Sequence, residues 1–184
     1  MSHQDHCVHS LDGVVYENVE LPLPIFYQRF DKYVFFDLDV ATSLELAIGL
    51  KKLIETCFGT GETAEVFSAA SRERLETVVV GNGLPNELLK IGQSLRDVGD
   101  CGGIILVPAS RRWIVFQRQP VDIGILAFNC GDRFTRSALD PDGCFFDCED
   151  IEGWLQGNTE RDANLRENFG AWLLDGLLAN YCAC

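Results

Sequence analysis

Two aspartates, Asp37 and Asp39, close the apolar stretch Tyr33-Val34-Phe35-Phe36. On a strand, residues two apart point to the same side. A carboxylate pair in that arrangement can hold Mg²⁺, or divide the roles of nucleophile and acid/base. The plainer reading is a pair of solvated strand-end carboxylates beside a helix N-terminus, where the dipole favours negative charge. A second concentration of carboxylates runs from Asp140 to Asp162: Asp140, Asp142, Asp147, Glu149, Asp150, Glu152, Glu160 and Asp162, with Arg161 as the one basic residue. Phe145, Phe146 and Trp154 lie among them. Aromatics ringed by carboxylates suit a docking patch for a basic protein surface. They equally suit core aromatics with a solvated acidic rim. A smaller cluster, Glu17, Glu20, Asp31, Asp37 and Asp39, has Tyr16, Phe26 and Tyr27 nearby. The residues expected to meet a partner are Asp147, Glu149, Asp150, Glu152, Trp154, Glu17 and Glu20. The alternative catalytic pair is Asp37 and Asp39.

Metal and nucleophile chemistry have less to draw on. His3, His6, Cys7 and His9 bring imidazole and thiolate together, and both suit Zn²⁺. No Cys-x₂-Cys pair accompanies them to complete a structural site. A flexible polar arm over 1–12 is the competing reading, and it makes a poor platform for an oriented histidine base. With no histidine after His9, a fixed catalytic triad using histidine is disfavoured. Gly81-Asn82-Gly83 is not followed by the Gly-Lys-Ser/Thr of a phosphate loop. No cofactor is expected.

The charge balance points the same way. Fifteen Lys and Arg face 28 Asp and Glu, a formal charge of −13 over 184 residues. Such a field disfavours nucleic acid and anionic membrane as partners and speeds encounter with a basic protein. It also serves plain solubility. No apolar run approaches a membrane span, and the first residues lack the basic and apolar regions of a signal peptide. A cytoplasmic location is therefore expected, with most of the eight cysteines reduced and packed as small hydrophobes.

The elements that must position these residues are legible in outline. Residues 13–184 are expected to form a single α+β domain. Val14 to Leu21 reads as a partly alternating strand, and Tyr33 to Asp39 as another. Thr42 with Glu45 fits a capping box opening a helix that ends near Gly59. Ala64–Ala69 and Leu75–Val80 read as a strand pair. Pro85 suits the first turn of a helix through Leu95. Gly103–Val107, Trp113–Gln117 and Asp122–Phe128 have connections too short for parallel crossovers, so they predict an antiparallel meander. Cys144–Asp147 adds a short strand, and 150–155 a short helix. A long closing helix is expected from Ala163 to Tyr181. Helices around a β-rich middle give an α+β class with a mostly antiparallel sheet packed by helices.

Two resemblances follow from these residues. The Tyr33–Thr42 segment resembles the first motif of haloacid-dehalogenase-like phosphotransferases, an aspartate pair after a hydrophobic strand. Here Thr42 lies five residues after Asp37 where that family has four, and the meander conflicts with its parallel sheet. The resemblance implies Mg²⁺-dependent phosphoryl transfer at Asp37 and Asp39. The chain as a whole, acidic, with a Trp-containing meander, the run Phe145-Phe146-Asp147-Cys148-Glu149-Asp150-Ile151-Glu152-Gly153-Trp154-Leu155 and a closing helix, resembles immunity proteins of bacterial toxin systems. That resemblance implies a binding protein that neutralises a basic partner by covering its active site, with a homodimer as a further possibility.

Overall fold

The computed structural model describes residues 10–131, 134 and 143–182. Seven strands form one sheet in the order β3-β2-β4-β5-β6-β1-β7. They are β1 Lys32–Phe36, β2 Thr63–Ser68, β3 Arg74–Val79, β4 Ile104–Pro108, β5 Trp113–Phe116, β6 Gly124–Phe128 and β7 Phe145–Phe146. Every pairing is antiparallel. The expected meander is β4-β5-β6, and the expected hairpin is β2-β3. Together with the helices they make the α+β fold that the sequence predicts.

The central strands are buried on both faces, which is why they read as nearly continuous apolar runs. Alternate residues divide between two cores. Val34, Phe36, Leu106, Trp113, Val115, Leu126 and Phe128 face one layer, built by α1 Leu44–Phe58 and α2 Leu84–Asp97. Tyr33, Phe35, Ile105, Ile114, Phe116, Ile125 and Ala127 face the other. That second layer consists of the segment 11–30 and three helices, α3 Cys148–Gln156, α4 Glu160–Phe169 and α5 Ala171–Leu177, closed by a π-type turn Leu178–Cys182. Leu11 already belongs to this core.

Three local expectations are corrected. The strand read over Val14–Leu21 reduces to one isolated bridge, Val15 to Phe26. The cap of α1 is Ser43, whose hydroxyl accepts the Leu46 amide, while the Thr42 hydroxyl turns back to the Asp39 carbonyl. The closing helix is not continuous. Gly170 sits at φ 83°, a left-handed setting that ends α4, and α5 starts from it. Cys148 and Cys182 are joined in a disulfide, while Cys57, Cys101, Cys130 and Cys144 take part in none, in keeping with the expectation that most cysteines are reduced.

Candidate functional site

The two acidic stretches, far apart in sequence, meet because β1 pairs with β7. Phe35 lies opposite Phe146 and Phe36 opposite Phe145. This register sets the end of β1, with Asp37 just beyond it, against the start of α3. Local hydrogen bonding then fixes α3. The Asp147 carboxylate accepts the Glu149 and Asp150 amides, and the Asp150 carboxylate accepts the Asp147 amide, a reciprocal cap. Thr159 and Asp162 repeat the device on α4. Asp147, Asp150 and Asp162 therefore each hold a helix N-terminus as well as contributing charge.

An aromatic cluster joins α3, α4 and the sheet. Trp154 stacks on Phe169 at 5.6 Å and 10°. Phe146 packs against both, at 4.8 Å from Trp154 and 5.8 Å from Phe169. The break at Gly170 is what lets Phe169 turn inward while Trp172, three residues on, stays 74 % exposed. Phe145 and Phe146 are buried and Trp154 is half-buried. The sequence left core and patch as alternatives for these aromatics. The phenylalanines serve as core, and Trp154 bridges core and surface.

Around this cluster lies a cleft of about 460 Å³, walled by Phe145, Phe146, Trp154, Leu165 and Phe169 and edged by Asp37, Asp150, Asp162 and Arg161. Among the described residues, three carboxylates stand there against one guanidinium. Among the described residues, no ion pair ties Arg161 to any of them. A second groove of about 550 Å³ adjoins it, lined by Leu21, Val121, Asp122, Ile123 and Trp172, and shares Asp37, Leu165 and Phe169 with the first. A third, of about 290 Å³, holds Asp31, Lys32, Tyr33, Asp147, Glu149, Tyr181 and the Cys148–Cys182 pair.

The expected site residues thus divide. Asp150 and Trp154 line the first cleft, and Asp147 and Glu149 the third cavity. Glu17 and Glu152 are exposed but line none of these three, and Glu20 lies 3.9 Å from Arg118. Asp37 and Asp39 are not brought to one site. β1 ends at Phe36, so the two-residue alternation no longer governs them. Asp37 faces the first two cavities, whereas Asp39 accepts the Ala41 amide at 2.8 Å and lines a separate 90 Å³ hollow beside Gly92 and Arg96. The buried Gln117 sets this divergence. Its amide donates to the Leu38 and Asp122 carbonyls, and its Oε1 accepts the Val40 amide.

His3, His6, Cys7 and His9 lie outside the described residues, as do Asp140 and Asp142. Among the described residues, no group of three His, Cys, Asp or Glu is placed to hold a metal ion. Sequence reasoning did not single out Arg161, Leu165, Phe169 or Asp122 as site residues. Thr159 followed by Asp162 was the available signal, because a second cap there starts a separate helix. No helix among the described residues is long and apolar enough to cross a membrane. Compared with protein-family models, curated proteins and solved structures, the chain has no match.

Proposed function

We propose that this chain is an acidic protein-binding module of the cytoplasm that neutralises a basic partner. On this reading it is an immunity protein that inhibits a bacterial toxin by occluding its active site. The observation that carries the reading is the first cleft, where aromatic walls adjoin carboxylates drawn from two distant parts of the chain, three of them against one arginine among the described residues. Such a surface suits lysine or arginine side chains, which engage carboxylates by charge and lie against aromatic faces. Carboxylates on the module would take the places of phosphates on the partner's substrate. The exposed Trp172 beside the adjoining groove extends the apolar contact.

The test is association kinetics with the product of the neighbouring open reading frame. We expect 1:1 binding whose on-rate falls with added salt. Asp37→Asn and the pair Glu149→Lys with Glu152→Lys should each slow association. These three residues are chosen because none caps a helix, unlike Asp147 and Asp150. Association unchanged by both sets of substitutions would refute the acidic docking face. A partner that binds yet keeps full activity when bound would refute occlusion.

A further inference from the structure

We propose that the Cys148–Cys182 disulfide is a redox latch on the helical wall of the cleft. It joins the first residue of α3 to the end of the closing turn, 34 residues on, and so encloses α3, α4 and α5 in one covalent loop. Non-covalent attachment of that loop to the sheet is concentrated at two places, the Phe146–Trp154–Phe169 cluster and Tyr181 against Tyr33 and Phe35. Over residues 148–182 the buried side chains are Ile151, Leu174, Leu177 and Tyr181, and α4 buries none, meeting the sheet through half-buried Phe169. Few buried contacts and a loosely held helix mark a segment that opens locally before the rest of a fold.

The far end of the latch is also the clamp on the N-terminal loop. Asn180 donates to the Pro22 carbonyl at 2.9 Å. The Tyr181 hydroxyl donates to the Leu23 carbonyl and accepts the Ile25 amide. Cys182 follows these two residues directly, so freeing its sulfur loosens both the helical wall and the loop 22–25. The disulfide lines the third cavity and both cysteines are half-buried, which gives a reductant a route to the bond. A permanent staple needs no such access. The latch rests on the cytoplasmic location proposed above, since in a reducing compartment a disulfide is ordinarily transient and redox-sensing.

The step requires a dithiol reductant. Its thiolate attacks one sulfur of the pair and the S–S bond breaks. The other sulfur leaves as a thiolate and takes a proton from water. The second thiol of the reductant then displaces the mixed disulfide, so two electrons pass to Cys148 and Cys182 and the reductant ends as its own disulfide.

The test compares the full chain before and after dithiothreitol under native conditions, by hydrogen exchange read over peptides. Exchange over 148–182 and 20–27 should quicken by at least about tenfold on reduction, while β4 to β6 hold their protection. The variant Cys148→Ser/Cys182→Ser should show the fast pattern without reductant and ignore dithiothreitol, which removes the other cysteines from the interpretation. A bond that native dithiothreitol cannot reduce overturns the latch. So does exchange that reduction leaves unchanged, and so does equal loss of protection in β4 to β6, which would make the bond a staple of the whole fold. These readouts do not involve the partner, so they stand or fall apart from the docking reading.

Discussion

The side-chain oxygen of Gln117 accepts the backbone amide of Val40 at 2.9 Å, across the boundary between β5 and the turn that follows β1. Its amide nitrogen donates to Leu38 and Asp122 at 3.0 Å each. One buried side chain thereby holds the segment that presents Asp37 to the cleft and Asp39 away from it. Replacing Gln117 by leucine removes all three bonds and leaves backbone groups unpaired in the interior. The expected loss is at least about 2 kcal/mol in urea denaturation, on the cost of stranding buried polar groups. The amide resonances of 37–40 should shift most in the folded variant. A loss below about 0.5 kcal/mol would show that the bonds are made to water as easily.

Trp113, fully buried at the centre of the sheet, donates its indole N–H to the Glu62 carboxylate at 2.8 Å. Ser110 donates to the same carboxylate, and Arg112 lies 3.6 Å away. Glu62→Ala leaves the indole without its acceptor and should cost about 1–3 kcal/mol. Glu62→Gln retains an acceptor oxygen and should cost clearly less. Denaturation followed by tryptophan fluorescence ranks the two. Equal costs would place the effect in the charge instead of the indole bond.

Burial pushes the Tyr181 hydroxyl well above the ordinary tyrosine range, against the opposing bond from the Ile25 amide. Because the folded value is the higher one, the unfolded chain ionises first, near pH 10. The stabilisation is complete below that pH and is lost as pH climbs toward the folded value. Stability of the native chain should therefore fall above about pH 10 more steeply than that of Tyr181→Phe. At neutral pH the variant should be less stable by about 1–3 kcal/mol, since the Ile25 amide loses its acceptor. Chemical denaturation across the alkaline range reads both effects. Parallel pH profiles would show that Tyr181 titrates alike in both states.

Two glycines differ sharply in the room around them. A Cβ built on Gly92 of α2 would lie 2.0 Å from the Ala41 carbonyl oxygen, backbone that cannot simply rotate away. A Cβ on Gly153 of α3 meets nothing within 4 Å. Gly92→Ala should cost about 3 kcal/mol or more, through forced separation of α2 from the turn after β1. Gly153→Ala should be neutral or stabilise by up to about 1 kcal/mol, as expected inside a helix. Thermal melts of the two single variants decide it, and a tolerated Gly92→Ala would mean that the two elements slide freely.

The strands of the meander were legible in the sequence because burial on both faces writes an uninterrupted apolar run, as in Ile104-Ile105-Leu106-Val107. What local pattern cannot carry is which strand lies beside which. Nothing in Lys32–Phe36 announces that it pairs with β6 on one edge and β7 on the other. That pairing alone makes Asp37 and Asp150 neighbours of one cleft. Chemistry near helix ends was readable only to within a residue, since Thr42 and Ser43 both offer a hydroxyl and backbone geometry chooses Ser43. The carboxylates from Asp147 to Asp162 were recognised as a cluster. Their spacing did not reveal that several cap helices, nor that Gly170 would part Phe169 from Trp172. The disulfide had no local signature, because its two cysteines meet only through the packing of α3 and the closing turn.

The position of β1 between β6 and β7 has a consequence for biosynthesis. The hairpin and meander form from neighbours in sequence, and contacts of that kind form early. β1 must wait for β6, and β7 together with α3 and α4, the two helices that wall the cleft, are translated later still. On a ribosome, the sheet can be largely assembled while the cleft does not yet exist. A chain stopped before α3 lacks most of the residues that line the cleft, so the docking surface proposed for this protein arises only once α3 and α4 have been made and packed.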